Sequence, residues 1–111
     1  MNIGVANAGA NSAPALDIGG LPVFTLWCTS GSLAGQIFEV TDPGRRLITG
    51  QCADIGKLKG PILRGLAARA PYFHNGSAAT LKEVVEFYDQ RFAIGLTDQD
   101  KADLVAFCNS L

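Results

Sequence analysis

The clearest pattern of apolar and polar positions lies in the last third of the chain. Leu81, Val84, Val85, Tyr88 and Phe92 recur at helical spacing, which is how one face of a 3.6-residue repeat reads in sequence. Thr80-Leu81-Lys82-Glu83 precedes that stripe with the form of a capping box, in which a threonine hydroxyl and a glutamate three positions on satisfy each other's backbone N–H groups. Gly95 is placed to end the helix in a left-handed conformation. A second unit opens at Thr97, with Asp98 and Asp100 in its first turn and an apolar stripe at Leu104, Val105, Cys108 and Leu111. Acidic residues there suit the positive end of a helix dipole. The spacing predicts helices over about 81–93 and 98–110, packed antiparallel or at a steep crossing angle.

Earlier in the chain the periodicity changes. Pro22 to Cys28 (PVFTLWC) and Gln36 to Thr41 (QIFEVT) are short β-branched and aromatic runs, separated by the Gly/Ser-rich TSGSLAG. They predict a β-hairpin over about 22–41. Asp42-Pro43-Gly44 ends the second strand with turn residues. Residues 42–79 carry few regular signals. One short helical turn is expected across ILRGLAAR, between Gly60-Pro61 and Ala70-Pro71, because the residue before proline leaves the α region. Residues 1–20, rich in Ala, Gly and Asn, predict an irregular arm. The chain therefore divides into an arm over 1–20 and a domain over 21–111, mainly α with a small β-hairpin.

Composition narrows the functions this architecture can serve. Hydrophobic residues make up 48% and charged ones 17% of 111 residues, with a net charge of −1. Scattered charges of both signs give no positive field for a phosphate backbone, so no nucleic-acid partner is expected. No run is long enough to span a membrane, and the first residues lack the basic and apolar regions of a secretory signal. A cytoplasmic location is the expectation for the chain as written. So apolar a small chain is also expected to cover surface with a second copy, as a homodimer or higher homo-oligomer.

Candidate chemistry centres on the one histidine, His74. Any imidazole role in ligation or proton transfer rests on it, against the plainer reading of a loop side chain satisfied by the backbone. Cys28, Cys52, His74 and Cys108 form the donor set of a Cys3His zinc site, but no closely spaced cysteine pair is present and zinc is disfavoured. Cys28 and Cys52 could pair if the chain reaches an oxidising compartment, leaving an odd thiol. Ser77, with His74 and a carboxylate from Asp89 or Asp54, could be imagined as the triad of a small ester or lactam hydrolase. There is no nucleophile elbow to support it, and Ser77 more plainly helps turn the loop into the capped helix.

The segment LRGLAARAPYFHNGSAATLKEVVEFYDQRF (63–92), followed by GLTDQDKADLVAFCNSL, resembles the C-terminal signature of bacterial di-haem cytochrome c peroxidases and their MauG-like relatives. The resemblance is strongest over residues 42–111. It implies a partial cytochrome c-like domain ending in the two amphipathic helices, with periplasmic relatives. In that family haem is attached through C-x-x-C-H, and none of the three cysteines here is followed by that motif. Covalent haem attachment by this sequence is excluded, and non-covalent haem is the remaining cofactor route. The resemblance places the family's distal ligand loop at Ala70 to Gly76, with Phe73 where many relatives have a methionine ligand; a phenylalanine cannot bind iron. His74 becomes the candidate iron ligand, Tyr72 lies beside it, and Arg64 matches an arginine that can face a haem propionate. Peroxidase activity and electron transfer are both put in question by these departures.

Overall fold

The computed structural model describes residues 1–8 and 20–111, so most of the arm expected over 1–20 lies outside the described residues. The chain is mainly helical with a small hairpin. It forms two compact units, Met1–Gly60 and Pro61–Leu111.

In the first unit β1 (Phe24–Trp27) pairs antiparallel with β2 (Ile37–Val40), in the register Phe24↔Val40, Leu26↔Phe38 and Trp27↔Ile37. Side chains alternate across a pleated strand, so Leu26, Phe38 and Val40 turn toward one face while Trp27 and Ile37 stay exposed. The inner face packs on Cys28 and Ile55, with Leu33 and Cys52 at its margin. Cys28 and Cys52 form a disulfide with Cα atoms 6.0 Å apart. The pairing admitted from sequence thus lies at the centre of this core, and Cys108 is the free thiol.

Beyond the strands, residues of the expected arm are held to β2. Thr41 N–H donates to Ala6 O at 2.8 Å and Ala8 N–H to Glu39 O at 3.0 Å, giving partners to strand-edge groups that would otherwise need water. The Asp42-Pro43-Gly44 turn falls where expected. Gly44 has φ 60°, and a Cβ on it would lie 2.5 Å from Lys57 O, so no larger residue fits. A short helix α1 (Arg46–Thr49) and a 3-10 turn at Cys52–Asp54 follow. Asp54 ties them together, accepting from Thr49 Oγ1 at 2.8 Å and Lys57 Nζ at 3.1 Å. Those two hydrogen bonds hold its carboxyl below the ordinary 3.8.

The second unit begins without regular secondary structure over residues 61–63. The helical turn expected across ILRGLAAR is confined to a 3-10 turn at Leu66–Arg69, because Gly65 adopts φ 66° and interrupts any helix entering from Pro61. Helix α2 (Leu81–Phe92) carries the expected capping box: Glu83 N–H donates to Thr80 Oγ1, and Glu83 Oε2 accepts from Thr80 N–H, both at 3.3 Å. Its left-handed end falls on Ala93 (φ 48°) rather than on Gly95. Helix α3 (Asp98–Ser110) is capped in the same way by Thr97 and Asp100.

The join between α2 and α3 is polar. Asp89 Oδ1 accepts from the N–H groups of Gly95 at 2.8 Å and Leu96 at 2.9 Å, and its other oxygen meets Lys101 Nζ at 2.8 Å. Lys101 also reaches Glu86 at 2.9 Å. Hydrogen bonds from Lys101, and for Asp89 from the Leu96 and Gly95 amides, keep both carboxyls below their ordinary values, while the two carboxylates raise Lys101. The chain reversal is thus fixed by one carboxylate.

Candidate functional site

The ligand-loop candidate lies entirely within the second unit. Ala70, in extended conformation (φ −60°, ψ 146°), leads through a cis peptide into Pro71. Tyr72 and Ala78 then close the loop as a pair: Tyr72 N–H donates to Ala78 O at 2.7 Å and Ala78 N–H returns to Tyr72 O at 3.4 Å. Within it, Gly76 N–H donates to Phe73 O at 3.4 Å and Ser77 N–H to Asn75 Oδ1 at 3.1 Å. Asn75 therefore acts as a turn-forming side chain, as short amides do when they bond the backbone two residues on. Tyr72 Oη donates to Leu66 O at 3.0 Å, tying the loop to the 3-10 turn before it.

Side chains leave this loop in two directions. Phe73 is half-buried, with its ring centroid 5.0 Å from that of Phe87 in an edge-on contact and 6.3 Å from Tyr88. Phe87 is 3% exposed, and Tyr88 stacks on Phe92 at 6.0 Å. Burial among these rings pushes the Tyr88 hydroxyl above its ordinary 10.0. His74, the next residue after Phe73, is exposed.

Tyr72, His74 and Ser77 share the loop, whereas Arg64 is exposed in the turn that leads into Leu66–Arg69. Ser77 Oγ is buried without a hydrogen-bond partner among the described residues, so a Ser77–His74 pair is not formed. Both carboxylates considered with them are engaged elsewhere, Asp89 with Lys101 and the Gly95 and Leu96 amides, Asp54 with Thr49 and Lys57. Among the described residues no group of three or more His, Cys, Asp or Glu could hold a metal ion, and no helix is long and apolar enough to cross a membrane.

The same unit exposes much apolar surface. Helix α3 has no buried residue; Phe107 is 58% exposed, and Ile62, Leu63, Leu104 and Leu111 are also open. Of the apolar stripe expected at Leu104, Val105, Cys108 and Leu111, Val105 and Cys108 are half-buried and Leu104 and Leu111 are exposed; Lys101 joins the half-buried pair on one face at i, i+4 and i+7.

These features bear on haem. His74 is exposed on the loop, and an exposed imidazole suits one axial ligand of a haem. Covalent attachment does not fit, because two of the cysteines are joined to each other and Cys108 is alone.

Comparison with known proteins covers this region and, for the relatives, extends beyond it. The family described as RoxA-like, cytochrome c-like matches residues 58–94, which include the loop and α2. The chain is 42% identical over 81 residues to the cytochrome-c peroxidase IdrP1 of Denitromonas iodatirespirans, covering 63% of this chain and 22% of that protein. To IdrP2, a cytochrome-c peroxidase of the same organism, it is 41% identical over 92 residues, 77% of this chain and 25% of that one. The cytochrome c peroxidase Ccp of Escherichia coli (strain K12) is 40% identical over 77 residues, 66% of this chain and 16% of that protein. The matches thus span at most about a quarter of these relatives. No solved structure matches the chain significantly.

Proposed function

We propose, from the premise that the chain is cytochrome c peroxidase-like over the part shared with these relatives, that its second unit is the histidine-bearing wall of a haem pocket. On this reading the chain itself holds no covalent haem, and any haem it binds is held non-covalently through His74. The observation that carries it is the exposure of the one histidine on a closed loop, next in sequence to an inward-turned aromatic ring. Bound haem would supply the redox chemistry. The chain's residues would supply the rest: His74 offers an imidazole nitrogen, the Tyr72–Ala78 pairing holds its backbone, and Ile62, Leu63 and Phe107 exclude water. Peroxidase turnover by these residues alone is not expected.

The disulfide in the hairpin core supports an oxidising compartment for folding, since such bonds persist where thiols are not kept reduced.

Titration with hemin tests the haem reading. The purified chain should show no thioether-bound haem, and added hemin should give a saturable Soret shift that His74→Ala abolishes. A shift of equal size in His74→Ala, or none in either protein, would overturn it.

The open apolar residues of α3 favour a second reading, an oligomeric assembly module without catalysis. Surfaces of this kind associate. Sedimentation at micromolar concentration should then find a homodimer or larger species; a stable monomer would contradict it.

A further inference from the structure

Phe73 has the backbone conformation least suited to its side chain. Its φ is 64°, in the left-handed region where a Cβ crowds the carbonyl and only glycine is at ease. A bulky residue held there is an outlier that the surrounding structure must over-determine. What compensates is the ring contact with the buried Phe87 at 5.0 Å and with Tyr88 at 6.3 Å. Gly76 N–H, at 3.4 Å from Phe73 O, closes the turn behind it.

We propose that Phe73 is a positioning residue for His74: its ring, seated on Phe87 and Tyr88, fixes the left-handed turn that directs the following imidazole outward. The haem reading above supplies the ligand for that imidazole, and the proposal deepens that reading by naming what orients the site. The phenylalanine that removes one iron ligand from the loop is then the residue that presents the other.

Glycine separates the two roles Phe73 could have. It is the residue best suited to φ 64° but has no ring, so Phe73→Gly tightens the loop if the ring is only tolerated and loosens it if the ring is the anchor. Phe73→Leu restores an apolar side chain of similar reach. In Phe73→Gly and Phe73→Ala, hydrogen exchange at the Tyr72 and Ala78 amides should rise roughly tenfold, the size expected for losing an aromatic pair of this kind. The His74 ring resonances, unambiguous because there is one histidine, should move toward free-histidine positions. Hemin affinity should fall by about the same factor, and Phe73→Leu should recover most of it. Exchange in α3 should be unchanged in all three variants. Slower or unaltered loop exchange in Phe73→Gly would overturn the proposal, and so would a loosened loop with unaltered hemin affinity. If the wild type takes no hemin, the haem reading falls, while amide exchange and the imidazole resonances still decide whether Phe73 orients His74.

Discussion

The two units of this chain solve the same shortage of core by opposite means. The unit Met1–Gly60 buries Cys28, Val40 and Ile55 around a disulfide that closes the chain over a separation of 24 residues. A two-stranded hairpin is marginal on its own, and a covalent closure offsets what its small core does not supply. The unit Pro61–Leu111 has no such bond. It relies on two capping boxes, the ring cluster at Phe73, Phe87 and Tyr88, and the Lys101 network. One unit is held by a covalent bond between distant residues, the other by caps at its helix starts and by non-covalent contacts across 12 to 15 residues. Both units leave large apolar side chains open, and the second is the one that carries the candidate ligand.

The largest effect should come from removing the covalent closure. Cys28→Ala with Cys52→Ala should cost the hairpin unit about 3 kcal/mol, the loop-closure value for a crosslink of this span. Exchange at the Thr41 amide, bonded to Ala6 O, should rise steeply, while the Lys101 amide, bonded to Thr97 O, should keep its protection. Equal loss in both units would erase the distinction.

A smaller effect, confined to the helical unit, is expected for Asp89→Asn. The asparagine can still accept from a backbone N–H but loses the charge that Lys101 meets, so Gly95 and Leu96 amides should exchange roughly tenfold faster. The pH dependence has a definite sign. Asp89 lies below its ordinary 3.8 and Glu86 below 4.5, so their contribution is present above those values and is lost as pH falls through the still lower folded ones. Lys101 lies above its ordinary 10.5, so its contribution is complete below that value and is lost as pH rises through the folded one. Acid titration should show protection at the Leu96 amide falling, and Lys101→Met should reduce that fall while the Gly95 and Leu96 amides still bond Asp89.

The smallest effect is Thr80→Ala. Losing one cap should lower the stability of the helical unit by about 1 kcal/mol, measured by urea unfolding followed through helical circular dichroism. No change would mean that Glu83, which also accepts from Ala79 N–H at 2.6 Å, caps α2 unaided.

Legibility in the amino-acid sequence follows the separation of the interacting residues and not the division into units. Asp100 reads only as an acidic first-turn residue and proves to complete a second box with Thr97, whereas the capping box at Thr80–Glu83, the start of each long helix and the hairpin are legible because their signals lie within short stretches of chain. Phe87 is not: it falls outside the stripe of Leu81, Val84, Val85, Tyr88 and Phe92, and it is buried because the loop folds over it to place Phe73 against it. Asp89 reads in sequence only as a triad carboxylate, since its partners, Gly95, Leu96 and Lys101, come together only through the chain reversal. Ala93 takes the left-handed position expected of Gly95, two residues earlier than glycine preference indicates, because Asp89 already holds the Gly95 and Leu96 amides. At the site, His74 is identifiable from residue type, but its outward direction depends on the φ of Phe73, which no spacing encodes.

The measurement that tests the account most directly is hydrogen exchange across the whole chain with and without hemin. New protection should appear around residues 62–77 and along α3, with none in the hairpin strands, and it should vanish in His74→Ala. Protection centred on Phe24–Trp27 and Ile37–Val40, or protection that His74→Ala leaves unchanged, would contradict it.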